Sequence, residues 1–452
     1  MLPCGFLNRM QQLLGDGYAD FYHALSCKAV RGMRVNLIKA EPESFFEDFP
    51  YQTRKISYLD NGFILESDEP LGKTPYHHAG MIYMQDPGAM ATLSAIDISP
   101  DWQAADLCAS PGGKSSQIAE RLKDGFLLSN EYVPKRAKIL VQNLERLGAR
   151  RAVVTSLDTE KLAELYFHTF DLVVADAPCS GEGMFRKSDE AIEDWSEENV
   201  SKCHKRQAEI IENAGRMVKG GGYLLYSTCT YAPEENELVV AEFLRRNPEF
   251  SLVPVKAELE RETAPAISST APDIENMHYA RRCYPHITEG EGQFIALMQR
   301  TVDNTEPRYN FKDSSQPLSR EEREAVRAFF DDNFTSTPMA DIKKVGGNIC
   351  LLPRGLSVPP FSVFMSGVLV GEVRGKLLFP SHQLFSAYGE LFKRRIELSG
   401  SEAEKYLAGE ELDAPEGVSG YLALFYNGAA LGGGKASGGR IKNHYPKGLR
   451  NK

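Results

Sequence analysis

At 452 residues the chain is long enough for about three domains, each with its own core. Its 42% hydrophobic and 25% charged residues exclude a disordered chain, a fibrous repeat and a small disulfide scaffold. The 52 basic and 62 acidic side chains leave a net charge of −10, which for the chain as a whole argues against a nucleic-acid partner.

The first residues, Met1 to Leu14, lack a basic flank before a continuous apolar stretch and read as no signal peptide. No run approaches about 18 apolar residues, so no membrane partner is expected. The eight cysteines include no C-x-x-C pair, so no metal site is expected, and free thiols fit a reducing cytoplasm. Residues 1–70 mix helix and strand signals and read as a small N-terminal α/β domain.

Residues 71–303 read as the catalytic domain. Short apolar runs alternate there with helical patterns over 104–298, which predicts a parallel sheet with crossover helices. Strands are expected at Ala104–Cys108, Phe126–Asn130, Ala152–Thr155, Leu172–Ala175 and Tyr223–Ser227, with Phe294–Gln299 as a late edge strand. Helices are expected at Lys114–Leu122, Pro134–Leu147 and Ser196–Val218. The second carries Ala137, Leu140, Val141 and Leu144 on one face and is closed by Gly148.

Val302–Ser319 is polar and reads as a linker, opening an intermediate segment over 304–375. Residues 376–452 read as a β-rich module. Glu397–Glu416 holds seven acids against Lys405, whereas 435–452 carries six basic residues and no acid. Charge is therefore segregated, and the basic strip reads either as an RNA footprint or as a free basic tail.

The chemistry gathers at the ends of the predicted strands. Asp106-Leu-Cys-Ala-Ser-Pro-Gly-Gly-Lys-Ser115 turns a strand into a helix, but Cys108 stands where a phosphate-binding loop needs its first glycine. Glu131 ends the second strand, where an acid can hold the two hydroxyls of a ribose. Asp158 follows the third, within reach of an adenine amine. Together they describe a nucleoside site without a phosphate cradle, and S-adenosylmethionine fits it. Asp176-Ala-Pro-Cys179 and Ser227-Thr-Cys229 end two strands of one direction, so both thiols are expected at one sheet edge, beside the cofactor.

These motifs, C-A-S-P-G-G-K, D-A-P-C-S-G-E-G and S-T-C-T-x-x-x-E-E-N-E, resemble those of the RNA cytosine-C5 methyltransferases of the Sun family. Arg34-Val-Asn36, Gly80 to Pro87, Tyr284-Pro-His286 and Gly290 to Phe294 add to the likeness. The ending Lys442 to Arg450 is similar to that of the bacterial RsmF-type subgroup, which modifies small-subunit ribosomal RNA. The resemblance implies a Rossmann-like S-adenosylmethionine-dependent sheet, an RRM-like N-terminal domain and a PUA-like C-terminal module. It implies that Cys108, Ala109, Ser110, Pro111, Gly112, Gly113, Lys114, Glu131, Asp158 and Asp176 bind the cofactor or orient the target. Cys229 would be the nucleophile and Cys179 the helper that ends the reaction.

Asp176 would hydrogen-bond the amine or ring nitrogen of the cytosine; its rival role is to anchor the Pro178–Gly181 turn. Phe185-Arg-Lys187 reads either as a phosphate contact or as a solvated loop. Gly88 stands where the family has Ser, and Gly432-Gly-Gly434 lacks the subgroup's aromatics. The partner implied is ribosomal RNA or the 30S subunit, met by a monomer. The alternatives are the same chemistry on tRNA or DNA, or a non-catalytic assembly factor that only binds RNA.

Overall fold

The computed structural model describes residues 2–302 and 308–451. Two helices, Cys4–Leu14 and Tyr18–Ser26, precede a four-stranded antiparallel sheet. Its strands are β1 (Gly32–Val35), β2 (Thr53–Lys55), β3 (Gly62–Leu65) and β4 (Ile82–Met84), in the order β2-β3-β1-β4. The boundary expected at residue 70 falls inside this sheet, because β4 pairs with β1 through Met33, Arg34 and Val35.

The central sheet has ten strands. It begins with β5 (Gln103–Asp106), β6 (Phe126–Asn130) and β7 (Ala152–Thr155); a short β8 (Tyr166–Phe167) lies off it. It continues with β9 (Phe170–Asp176), β10 (Val218–Thr228), β11 (Phe250–Leu252), β12 (Ala264–Pro265), β13 (Arg281–Cys283) and β14 (Gln293–Arg300). Strands β5, β6, β7, β9 and β10 are parallel, and strand order reverses between β5 and β9, which opens a crevice at their carboxyl ends. This is the Rossmann-like sheet that the resemblance implies.

Phe294–Gln299 is not an edge: β14 pairs with β10 on one side and with β13 and β11 on the other. The run Phe-Ile-Ala-Leu-Met is buried on both faces, as its unbroken apolar pattern requires. The helix Pro134–Arg146 buries Ala137, Leu140 and Leu144 against the sheet, with Val141 half-buried, and Gly148 turns the chain away at φ +75°.

The boundary expected between 303 and 304 lies outside the described residues, as does part of the expected linker. The rest of that linker is packed. In it, β15 (Arg308–Tyr309) pairs with β8, and Phe311 meets Tyr166 with ring centroids 5.1 Å apart. Next come β16 (Asp341–Val345), β17 (Asn348–Leu352), β18 (Val363–Ser366), β19 (Val368–Arg374) and β20 (Leu377–Pro380). Four of them form their own sheet, while β18 pairs with β7 and becomes the last strand of the central one.

Strands β21 (Arg395–Glu397), β22 (Leu412–Asp413), β23 (Gly420–Tyr426), β24 (Ala429–Ser437) and β25 (Arg440–Asn443) form the C-terminal sheet. The basic strip is therefore no free tail. Lys435 pairs with Lys442 across β24 and β25, and Arg440 is bonded to Asp413; Lys452 lies outside the described residues. This module shares a core with the N-terminal sheet, where Met33, Phe45 and Tyr76 cluster with Tyr406, Leu407 and Leu422.

Candidate active site

At the end of β5 the Asp106 carboxylate is fully buried. One oxygen accepts the Ser115 hydroxyl at 2.7 Å, the other has no partner, and burial pushes the carboxyl up to about 7. The chain then turns through Cys108 to Gly112. Gly112 takes φ +117° and opens the Gly113–Ala119 helix, a conformation that only glycine adopts without strain. From the N-terminal sheet, Arg34 reaches this turn. It donates to the Gly113 carbonyl (3.1 Å) and to Gln85 Oε1 (2.7 Å), and pairs with Glu120 (2.8 Å).

Because β9 and β10 are parallel and Asp176 is in register with Ser227, the segments leaving them lie side by side. Cys179 Sγ is 3.2 Å from Cys229 Sγ. The hydrogen bond to Cys229, with burial added, holds the Cys179 thiol well above its usual pKa. Asp176 accepts from Lys114 Nζ (2.7 Å), the Ser227 hydroxyl (2.7 Å) and Gln293 Nε2 (3.3 Å). Its carboxylate thus bonds three side chains, and the turn over Pro178–Gly181 is anchored instead by Glu235, which accepts the Ser180 amide at 2.9 Å.

Asn236 and Glu237 after Cys229, and Glu182 after Cys179, share this supporting work. Asn236 accepts the Thr228 hydroxyl at 2.6 Å and donates to the Thr230 carbonyl at 2.9 Å, on both sides of Cys229. Glu237 forms a fully buried pair with Arg282. Glu182, just beyond Cys179, accepts from the Trp195 indole (2.7 Å) and from Arg9 of the first helix. In the Phe185-Arg-Lys187 cluster only Lys187 is exposed. Phe185 is buried against Phe6, Arg186 is held by Glu291 and the Ala24 and Gly290 carbonyls, and Lys187 pairs with Asp86.

A cavity of about 290 Å³ opens between the glycine turn and the thiols. Cys108 to Pro111, Gly113, Lys114, Asp176 and Cys229 line it, whereas Gly112, Glu131, Asp158 and Cys179 stand outside its wall. Burial raises the Cys108 thiol far above its normal range. Glu131 is buried and accepts the Val133 amide at 2.9 Å; Asp158 is exposed and caps the Thr159–Leu165 helix through the Lys161 amide. The sequence reading missed Tyr83 to Asp86, Met184 and Glu291 to Gln293 in the wall. The signal was present in Gly80–Pro87 and Gly290–Phe294, stretches that carried the resemblance without an assigned role. Among the described residues no group of three or more His, Cys, Asp or Glu is placed to hold a metal, and no helix is long and apolar enough to cross a membrane.

Three family models match in series. That described as the N-terminal domain of 16S rRNA methyltransferase RsmF covers 2–87, 16S rRNA methyltransferase RsmB/F covers 94–299, and the methyltransferase RsmF PUA domain covers 393–451. Curated relatives named ribosomal RNA small subunit methyltransferase F, from Vibrio atlanticus and Vibrio parahaemolyticus, are 28% and 29% identical. Each comparison spans 99% of this chain and 97% of the relative. A solved structure titled as a methyltransferase homolog protein from Pyrococcus horikoshii is 29% identical with a TM-score of 0.57, covering 65% of this chain and 93% of that one.

Proposed function

The chain belongs to the RsmB/F family of 16S rRNA methyltransferases, and from that membership we propose that it methylates carbon 5 of a cytosine in small-subunit ribosomal RNA. The observation that carries the cytosine-C5 reading is the pair of thiols 3.2 Å apart, beside the Asp176–Lys114 pair. A plain transfer to an oxygen or an amine has no use for two adjacent sulfurs.

The cofactor is S-adenosylmethionine, which supplies an electrophilic methyl on a sulfonium. The residues fit it: the turn lacks the first glycine of a phosphate cradle, and the one lysine among Cys108 to Lys114 is already bonded to Asp176, so the cavity suits a ligand without phosphate. Cys108 to Lys114 would hold it, with Glu131 and Asp158 at the ends of the neighbouring strands.

Carbon 5 of cytosine is a weak nucleophile. A bond from the Cys229 sulfur to carbon 6 makes the ring enamine-like and puts an electron pair on carbon 5, which then takes the methyl group. Asp176, held on Lys114, would hydrogen-bond the exocyclic amine or the ring nitrogen of the base during the attack. Afterwards the carbon-5 proton leaves, the double bond re-forms, and Cys229 departs as thiolate. Cys179, kept as a thiol by its bond to Cys229 and its burial, assists this release as an acid or base or by fixing a water. The base has to leave any stack to reach Cys229, so the target is a flipped or unpaired cytosine. The N-terminal sheet and the C-terminal module would grip the RNA around it, in the cytoplasm.

The test is asymmetric. Cys229→Ala should abolish methyl transfer and form no covalent RNA adduct, whereas Cys179→Ala should lose turnover yet accumulate a protein–RNA adduct on a denaturing gel. The reverse pattern would overturn the nucleophile assignment and favour the DNA-type arrangement, in which the Pro-Cys cysteine attacks. Methylation of free rRNA, small subunits and tRNA, followed by bisulfite mapping, separates the substrates.

A further inference from the structure

We propose that Gln293 reads the exocyclic amine of the target base, so that the cavity accepts cytosine and refuses uracil; this rests on the cytosine reading above. Gln293 opens β14, is only 3% exposed, and stands in the cavity wall with Asp176, Lys114 and Cys229. Its strand partner set places it beside the nucleophile, since Phe294 is in register with Thr228, the residue before Cys229.

The amide has one orientation. Asp176 accepts from Lys114 Nζ and from the Ser227 hydroxyl, and its Oδ1 takes the amide nitrogen of Gln293 at 3.3 Å. The amide oxygen is then left over. It has no hydrogen bond among the described residues, and it is not among the side-chain atoms sealed from solvent without a partner. It is an acceptor open to the cavity.

A carboxylate offers about four acceptor positions, and three of those on Asp176 are taken. The fourth, together with Gln293 Oε1, makes a pair of acceptors. The amine of cytosine carries two N–H groups and satisfies both. Uracil places a carbonyl oxygen there, brings no hydrogen, and meets two acceptors head-on. Gln293 is thus a specificity-determining residue, and its bond to Asp176 ties base recognition to the Lys114–Asp176 pair.

The experiment uses the full chain and RNA fragments that differ only at the target: cytosine, pyrimidin-2-one, which lacks the amine, and, for the discrimination ratio, uracil. Methyl transfer is measured as kcat/KM for the wild type and Gln293→Met. The variant should lose about tenfold to a hundredfold on cytosine, and less than twofold on pyrimidin-2-one. The cytosine-over-uracil ratio should fall alongside. Equal loss on cytosine and pyrimidin-2-one would overturn the inference, because Gln293 would then act only by holding Asp176; no loss on cytosine would overturn it too. A wild type inert on cytosine would instead remove the proposed function, and would show before any variant was compared. If Gln293→Met does not fold, Gln293→Asn, which keeps the amide but draws it back, carries the same comparison.

Discussion

Asp106 shows how a single carboxyl can report on the site. Its pKa lies at about 7 against 3.8 for an ordinary aspartate, with burial as the largest cause. A carboxyl raised on folding favours the folded state below the unfolded value, and that contribution is lost as pH climbs through the folded one. Stability of the cofactor-free protein should therefore carry a component that falls between about pH 4 and 7, and Asp106→Asn should flatten that part of a Tm-against-pH curve. The meeting of Cys179 and Cys229 was legible, because two cysteines that follow two neighbouring parallel strands emerge at one sheet edge. What Glu235 and Gln293 bond was not legible, although both stand in stretches that carried the resemblance. Their roles depend on which buried group lacks a partner, and that follows only from packing.

Among the elements, those with strong period and punctuation stood out in the sequence. Phe126–Asn130 and Ala152–Thr155 form strands over the residues expected, and Pro134–Arg146 ends one residue before the expected bound. Pairing partners were hidden, because an apolar run looks alike at an edge or in the middle of a sheet; β14 and β18 both show this. The departures from the family pattern have local reasons. A Cβ on Gly88 would lie 2.3 Å from the Glu291 carbonyl oxygen, and one on Gly433 would lie 2.3 Å from the Phe385 ring. Gly88→Ser should accordingly lower stability by about 1–3 kcal/mol in denaturant melts, since backbone has to shift to admit it. Arg282→Met is expected to cost more, about 3–5 kcal/mol, because it strands the Glu237 charge in the helix behind Cys229. Calorimetry of the two variants would rank them.

For the whole molecule, charges segregated along the sequence meet again in space, since Arg440 of the basic 435–452 strip pairs with Glu411 and Asp413 of the acidic Glu397–Glu416 stretch. Family models match three segments of the chain in series. What length could not show is that the first and last of them share one core, where the His78 ring bonds Tyr445 at 2.7 Å and Asn451 at 3.0 Å. Removing 393–451 should therefore uncover Met33, Phe45 and Tyr76. Hydrogen exchange should then speed in β1 to β4 while β5 to β7 stay protected; unchanged protection in the N-terminal sheet would show the two cores to be independent. The shared core also orders events during synthesis. At about 5–20 residues per second, the β1–β4 sheet leaves the ribosome roughly tens of seconds before β21 to β25 emerge to cover it. The earliest-made sheet is the last to be finished, and its apolar face is the surface a chaperone would guard on the nascent chain.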